Sequence, residues 1–453
     1  MAEPSYATDY ANGLLAHLGL PALLPARPQV HPALRWAQCG AMSLTGYPGE
    51  AAQMSPVPLA SFVDGIVAAL QVLCPGSRIG EIDGAALLGE RAALAGHTRA
   101  GTVSPGGGCR LLPAADGWLA VNLARPDDWE LLPAWLEMQI QSRWDALAAA
   151  LTSRPVQALI DRGRLLGLAL AALQPQTCAA PWCREAFRTP GGPRPAPAPG
   201  SAPLVVDLSA LWAGPLCTHL LQRMGARVIK VESTSRPDGA RGAGDGFFDL
   251  LNEGKASVAL DLRAPDGRAT LRRLLGCADI IVEASRPRAL RQLGIHAEEV
   301  LARNPRATWV SITGHGRDEP GANWIAYGDD AGVAGGLSQV LWEASGRAMF
   351  CADAVADPLA GLHAALAAWV GFSQGGGRLY SLALTAVAAH AVRCAGLPGA
   401  QAARERAQRW HAQVRGADVS SPRARQIRGR APILGADTAR VLAEIPDLER
   451  ARR

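Results

Sequence analysis

Residues 204–231 read LVVDLSALWAGPLCTHLLQRMGARVIKV, a run that decides the fold because two strand patterns enclose a helical one. The outer segments, 204–208 and 227–231, are short and rich in valine and isoleucine, which is typical of buried strands. The middle segment, 216–224, has the apolar spacing of a helix. A strand, a helix and a strand in this order predict two parallel strands of one sheet.

The same alternation continues downstream of this run. Further β-branched segments occupy residues 257–261, 279–283 and 308–312, with helical patterns at 265–275 and 298–303. We therefore expect an α/β fold with a Rossmann-like, mostly parallel sheet and flanking helices. Ligands of such sheets bind beyond the carboxyl ends of the strands, which places residues 209–215, 232–241, 284–287 and 313–317 near the expected site. No GxGxxG motif follows the first strand, so a nicotinamide cofactor has little support.

A carboxylate precedes the longest apolar run, in residues 350–369, FCADAVADPLAGLHAALAAW. Pro358 and the alanine- and leucine-rich residues after it predict a buried helix with proline in its first turn. Asp357 then stands at the expected N-cap. It would either accept backbone N–H bonds as a cap or stay ionised at the helix N-terminus and act as a nucleophile. This segment alone favours the cap.

The chain contains an internal repeat of this segment. Residues 58–70 match residues 355–366, with Gly65 aligned to Gly361 and Ser61 aligned to Asp357. Serine caps a helix about as well as aspartate, so a capping role is available in both copies. Nucleophilic carboxylate chemistry is available only in the second copy.

Composition excludes several classes of function. The chain is 49% hydrophobic and 19% charged, which is typical of a globular protein. Its net charge of +5 is spread along the sequence and gives no support for nucleic-acid binding. The nine cysteines form no CxxC pair or other metal-ligand spacing, and no apolar run reaches membrane-span length. With no signal peptide visible, we expect a cytoplasmic protein without a metal site or a membrane partner.

A proline-rich segment divides the sequence. Residues 189–203, TPGGPRPAPAPGSAP, are typical of an extended linker. Before it, residues 110–113 and 117–123 predict a β-pair among helical segments, so the N-terminal part is expected to be helical with a small α+β portion. The expected domains are residues 1–188 and 204–453, joined by the linker.

Several motifs occur in one order after the linker: LVVDLS (204–209), AGP (213–215), MGARVIKVE (224–232), LNEGKASVALDL (251–262), ADIIVE (278–283), NPR (304–306), SITGHG (311–316) and ADPLAG (356–361). Together they closely resemble the class III coenzyme A-transferases, the CaiB/BaiF family. Residues 37–175 resemble the later part of the same family domain, including its small second domain, and residues 430–442 resemble its closing segment. The chain is thus similar to one copy with a complete front, preceded by a degenerate partial copy that carries Ser61. We expect the partial copy to supply the small domain that the other copy lacks.

The resemblance implies transfer of coenzyme A between an acyl-CoA thioester and a carboxylic acid. Asp357 would form an aspartyl-acyl anhydride and then an aspartyl-CoA thioester. The residues implied for coenzyme A binding are Trp212, Ala213, Leu251, Asn252, Lys255, Ser285, Arg286 and Leu293. Coenzyme A thioester is then a substrate and no permanently bound cofactor is expected.

Two alternatives remain open. The Gly-His-Asp motif of the family's racemases is replaced here at residues 326–328, which leaves Asp329, Asp330 and His363 as candidates for an acyl-CoA racemase or isomerase. The serine substitution and the shortened second copy also fit a non-catalytic protein that binds CoA thioesters. A homodimer is compatible with the resemblance, and the oligomeric state stays open.

Overall fold

The computed structural model describes residues 5–25, 29–175, 180–190, 195, 198, 200 and 202–450. None of the helices in this described part of the chain combines the length and apolarity that a membrane span requires.

The α-helices are α1 (Tyr6–His17), α2 (Pro32–Gln38), α3 (Leu59–Leu73), α4 (Glu90–Ala95), α5 (Pro126–Glu130), α6 (Leu132–Leu136), α7 (Trp144–Leu151), α8 (Val156–Leu166), α9 (Ala213–Arg223), α10 (Phe247–Asn252), α11 (Pro265–Cys277), α12 (Pro287–Gln292), α13 (Ala297–Arg303), α14 (Gly328–Ala334), α15 (Leu337–Ser345), α16 (Ala356–Ser373), α17 (Leu384–Cys394), α18 (Ala400–Gln413) and α19 (Thr438–Arg450). The strands are β1 (Cys109–Ala114), β2 (Gly117–Asn122), β3 (Ala169–Leu173), β4 (Arg184–Arg188), β5 (Leu204–Leu208), β6 (Arg227–Ser233), β7 (Ala256–Leu260), β8 (Ile280–Glu283), β9 (Thr308–Thr313) and β10 (Arg378–Ala383). Short 3-10 helices cover Met42–Leu44, Arg78–Glu81, Ala85–Leu88, Gly239–Gly242 and Gly321–Asn323.

Within the described residues, the larger sheet has seven strands in the order β4-β10-β9-β8-β5-β6-β7. All neighbours are parallel except β4 and β10, which are antiparallel. The prediction of a mostly parallel α/β sheet with flanking helices is confirmed. The strand patterns did not predict β4 or β10, which occupy one edge of the sheet.

The predicted β-pair forms part of a smaller antiparallel sheet, ordered β1-β2-β3. Ala114 pairs with Gly117 where the chain turns, and Cys109 pairs with Asn122 at the other end. One face of this sheet packs on α14 and on the segment before α16, through Leu111, Ala120, Val333 and Phe350. The small sheet therefore lies against the part of the chain that leads into Asp357.

The N-terminal helices share one hydrophobic core with the helices of the second half. α3 packs on α1 and α16, and α16 packs on α9. The two glycines aligned by the internal repeat lie at the two equivalent crossings. A Cβ on Gly65 would be 2.1 Å from the Ala7 carbonyl oxygen, and one on Gly361 would be 2.7 Å from that of Ala213.

Most of the linker predicted at 189–203 lies outside the described residues. β4, which ends immediately before it, belongs to the same sheet as β5, which begins after it. The two halves are also tied by the segment between α18 and α19. In that segment the Ser420 amide donates to the Ala37 carbonyl, and Arg425 pairs with the fully buried Glu90.

Candidate active site

Asp357 is the second residue of α16, because the helix begins at Ala356 and Val355 is its N-cap. The prediction that Asp357 is the N-cap is therefore wrong. The loop before the helix contains Ala352 and Ala354 at positive φ, 52° and 42°, and the Asp357 amide donates to the Ala354 carbonyl at 2.9 Å. Because of this turn, α16 begins two residues before Pro358, the predicted first residue of the helix. The Asp357 side chain therefore has no capping role.

The Asp357 carboxylate lies partly exposed in a narrow recess. None of the described residues donates a hydrogen bond to it. Gly328, the first residue of α14, forms one wall, since a Cβ there would be 2.3 Å from the Ala354 carbonyl oxygen and 2.6 Å from Asp357 Oδ2. Only glycine fits between α14 and the nucleophile candidate at this position.

Three more carboxylates surround Asp357. Asp329 Oδ1 accepts from the Ala354 amide at 2.9 Å. Asp330 Oδ1 accepts from Asn122 Nδ2 at 2.7 Å and from the Tyr327 amide at 3.0 Å, whereas its buried Oδ2 has no partner among the described residues. The third carboxylate, Asp353, is fully buried.

A single arginine from the N-terminal half, Arg91 of α4, pairs with this cluster. Its Nε donates to Asp353 Oδ2 at 2.8 Å and its Nη2 to Asp353 Oδ1 at 2.5 Å. His97 Nδ1 lies 3.7 Å from Asp353 Oδ2. Burial disfavours the charge of Asp353, but Arg91 and His97 hold its pKa below the ordinary value.

Burial and the crowding of carboxylates shift the pKa values of Asp357, Asp330 and Asp329. Burial raises the pKa of Asp357 to about 7, with Arg91 opposing the rise and the other three aspartates adding to it. Burial likewise raises the pKa of Asp330 to about 7 and that of Asp329 to about 6. Near neutral pH the cluster can therefore both hold protons and present an ionised carboxylate.

Lys255 is a correction to the predicted coenzyme A site. Its ammonium is buried and donates to Asp207 Oδ2, Thr218 Oγ1, Asn252 Oδ1 and the Pro215 carbonyl at 2.7–3.1 Å. These partners use the donors of the ammonium, so Lys255 has none to offer a phosphate. Lysine is buried here because Asp207, itself buried in β5, requires a counter-charge.

The other implied residues lie in three places. Trp212, Ala213, Leu251 and Asn252 are buried around the start of α9 and the end of α10, and Trp212 contacts Phe247 edge to face. Leu293 is half-buried against the core of the large sheet. Ser285 and Arg286 follow β8 at the carboxyl edge, and the Ser285 hydroxyl has no partner among the described residues.

Arg286 lies in a group of arginines that the sequence motifs did not fully identify. Partial burial lowers the pKa of Arg286, and so do the nearby charges of Arg288, Arg125 and Arg236. Arg125 comes from the N-terminal half. Arg125 is paired with Asp128, so Arg286, Arg288 and Arg236 carry the excess positive charge of this group. Such a cluster of guanidinium groups favours a polyanionic ligand.

Ser61, aligned with Asp357, is buried in α3 and is the third residue of that helix. It therefore occupies no cap, which corrects the expectation that capping is retained in both copies. His363, the remaining racemase candidate, is buried in α16, where its Nε2 faces Tyr10 Oη at 2.8 Å and its Nδ1 faces the Leu359 carbonyl at 2.7 Å.

In the described part of the chain, no group of three or more histidine, cysteine, aspartate or glutamate side chains is arranged to hold a metal ion.

Residues 203–438 match the family model described as CoA-transferase family III. A succinate–glutarate CoA-transferase of Agrobacterium fabrum is 33% identical over 172 residues, 35% of this chain and 43% of the relative. A formyl-CoA:oxalate CoA-transferase of Escherichia coli is 32% identical over 166 residues, 35% of this chain and 40% of the relative. The chain thus spans less than half the length of these curated relatives. A solved structure of a CaiB/BaiF family protein from Brucella suis aligns at 26% identity over 50% of this chain and 60% of that protein, with a TM-score of 0.39.

Proposed function

The chain belongs to family III of the CoA-transferases, and from that premise we propose that it transfers coenzyme A from an acyl-CoA thioester to a carboxylic acid with Asp357 as nucleophile. The observation that carries the proposal is the Asp357 side chain itself. It is a partly exposed carboxylate in the first turn of α16, without a hydrogen-bond donor among the described residues. Because this carboxylate is neither the cap of α16 nor the ion-pair partner of a described residue, it is available for a nucleophilic step.

The reaction proceeds through two kinds of covalent species on Asp357, anhydrides and a thioester. A carboxylate oxygen bonds to the thioester carbon and the C–S bond breaks, which gives an aspartyl-acyl anhydride and the CoA thiolate. The thiolate then attacks the Asp357 carbonyl carbon and releases the first acid as its carboxylate, leaving an aspartyl-CoA thioester. The acceptor carboxylate attacks this thioester and releases the thiolate, which gives a second anhydride, between Asp357 and the acceptor. The thiolate attacks the acceptor's acyl carbon, the bond from that carbon to the Asp357 oxygen breaks, and the new acyl-CoA leaves with Asp357 restored as a carboxylate.

The electrostatics of the recess suit these steps. With a pKa of about 7, Asp357 is close to half ionised at neutral pH, so a nucleophilic fraction is present. The first turn of α16 directs the positive end of the helix dipole toward the same place. This end of the dipole stabilises the negative charge that develops on the tetrahedral oxygen atoms.

The phosphates of coenzyme A bind at Arg286 and Arg288, which follow β8, and at Arg236, which follows β6. These arginines supply the positive charge in place of the buried Lys255. Trp212 and Ala213 lie beside the recess on α9, which packs on α16. Relatives named for succinate, glutarate, formate and oxalate suggest a short-chain acid as acceptor.

The N-terminal half supplies the small domain of the same site. Asn122 at the end of β2 reaches Asp330, and β1–β3 pack on the segment that leads into Asp357. Residues 200–453 expressed alone are therefore expected to be unstable or inactive. A stable and active fragment would contradict this division of roles.

The test is covalent trapping. The protein is incubated with succinyl-CoA, acetyl-CoA or formyl-CoA, treated with hydroxylamine or borohydride, and mapped by peptide mass spectrometry. Modification is expected at Asp357 and is lost in Asp357→Asn. Asp266→Asn is the matched control, because Asp266 is also the second residue of its helix, α11, and lies at the surface. Saturable CoA binding without modification of Asp357 would support the non-catalytic alternative.

One observation favours a second candidate, an acyl-CoA racemase or isomerase. Asp330 has a buried, unpartnered Oδ2 and a pKa raised to about 7 by burial, close to Asp357. Two carboxylates with such pKa values can remove and return a proton at the carbon next to the thioester. Deuterium incorporation at that carbon in ²H₂O, without transfer to an added acid, would identify this activity.

A further inference from the structure

Arg91 connects the N-terminal half to the nucleophile candidate through Asp353. Asp353 has no exposed side-chain area, whereas 27% of the Arg91 side chain is exposed. The pair is bidentate, so the plane of the guanidinium is fixed by two parallel hydrogen bonds. Its Cζ also lies 5.4 Å from the centre of the Trp212 ring.

One nitrogen of the Arg91 guanidinium makes no contact of this kind. Nη1 donates no hydrogen bond to any residue in the described ranges, whereas Nε and Nη2 both donate to Asp353. An arginine held only to neutralise Asp353 needs two of its edges at most. Arg91 contacts Asp353, four residues before Asp357, and Trp212, whose neighbour Ala213 touches α16 at Gly361, four residues after Asp357. These contacts place its charge near the start of α16.

The charges around Asp357 come from three elements. Arg91 belongs to α4, Asp329 and Asp330 to α14, and Asp353 to the loop before α16, with His97 facing Asp353 rather than Asp357. Arg91 is therefore the positive charge set against several negative ones in this recess. Without it, the ionised form of Asp357 would face like charges alone.

We propose that Arg91, held in place by Asp353, is a positioning residue whose charge favours the ionised form of the nucleophile Asp357. This inference rests on the proposed function of Asp357 and adds a residue that no motif of the sequence indicates. It makes the N-terminal half a part of the reaction centre, in addition to its part in the fold.

The experiment measures the rate of Asp357 acylation by succinyl-CoA against pH, by hydroxylamine trapping, in the wild type and in variants. Arg91→Gln removes the charge and is expected to move the midpoint of the profile upward by about one pH unit or more, since a nearby opposite charge shifts an aspartate by about 1–3 units. At a pH below the midpoint, an upward shift of one unit lowers the ionised fraction of Asp357, and therefore the acylation rate, about ten-fold. Arg91→Lys keeps the charge and is expected to retain the wild-type midpoint.

Asp353→Asn gives a shift of opposite sign. It removes a negative charge and frees Arg91, so the midpoint is expected to move downward. General damage to the fold would lower the rate in both variants without shifting the midpoint in two directions. If Arg91→Gln fails to fold, the double variant Arg91→Gln/Asp353→Asn, which leaves neither charge buried without its partner, decides the question. Its midpoint is expected to lie above that of Asp353→Asn, and equal midpoints in these two variants would overturn the inference.

Arg425→Gln is the matched control. Arg425 makes an equally bidentate pair with a fully buried carboxylate, Glu90, which is the neighbour of Arg91 in α4. Its midpoint is expected to equal that of the wild type. Equal midpoints in the wild type, Arg91→Gln and Asp353→Asn would overturn the inference while leaving the proposed function intact. Absence of acylation in the wild type at every pH would instead refute the proposed function.

Discussion

Replacing Gly361 by alanine is expected to destabilise the contact between α9 and α16. The added Cβ would lie 2.7 Å from the Ala213 carbonyl oxygen and 3.2 Å from Leu216 Cβ and Cδ2. The carbonyl belongs to the backbone of α9 and cannot rotate away, so the two helices must separate. Ala213 stands at the start of α9, in the region proposed for coenzyme A, so the separation should also weaken CoA binding.

The magnitude follows from two opposing effects. Overpacking of a close-packed core costs about 1–3 kcal/mol. Alanine in a helix interior stabilises by about 0.5–1 kcal/mol relative to glycine. The net loss in the free energy of unfolding is therefore expected to be about 1–2 kcal/mol.

Urea unfolding followed by circular dichroism measures this loss, with Gly276→Ala as the matched control. Gly276 lies in α11, where an added Cβ meets nothing within 4 Å, so that variant should gain the helix preference without a clash. Gly65→Ala should resemble Gly361→Ala, because its Cβ would be 2.1 Å from the Ala7 carbonyl oxygen. A urea midpoint of Gly361→Ala at or above that of the wild type, or of Gly276→Ala, would refute the reasoning.

Four further predictions concern charge. The pKa of Asp330 is raised to about 7, so the native state holds a proton that the unfolded chain releases near pH 4, and stability falls as pH rises through that window. Between pH 4 and pH 7 the free energy of unfolding of Asp330→Asn should fall by at least about 1 kcal/mol less than that of the wild type, since a pKa shift of one unit corresponds to about 1.4 kcal/mol. Lys255→Met should lower the free energy of unfolding by about 3–5 kcal/mol, measured by thermal unfolding, because it leaves the buried Asp207 without its salt-bridge partner. Arg286→Gln should leave stability unchanged and weaken CoA binding about ten-fold, measured by calorimetry. Asp357→Asn should abolish trapping yet stabilise the protein by about 1–2 kcal/mol at pH 8, because it removes a crowded carboxylate.

The parallel strands could be predicted from sequence because their runs of valine and isoleucine are buried on both faces. β4 could not, since its residues, REAFR, lie at an exposed edge and alternate without an apolar face. The start of α16 was misplaced for a related reason. Ala352 and Ala354 adopt positive φ there, and alanine carries no sequence signal for that conformation.

The site could be predicted only as far as local motifs reach. Asp357 lies within a contiguous motif, so the sequence alone is enough to propose it as the reactive carboxylate. Arg91 and Asp353 are separated by 262 positions, so only the packing of the two halves brings them together. Lys255 was misassigned because a motif position does not reveal that Asp207 needs the charge inside the protein.

The packing of α3 on α16 has a consequence for how the protein is made. The two helices are separated by about 290 residues of chain. At a synthesis rate of about 5–20 residues per second, α3 leaves the ribosome about 15–60 s before the helix that covers it. α1 and α2 precede α3 in the chain and can cover part of its apolar surface at once, whereas the part that packs on α16 is exposed for that interval. Closure of so long a loop is slow. The first half of the chain must therefore be kept from aggregating until the second half has been translated.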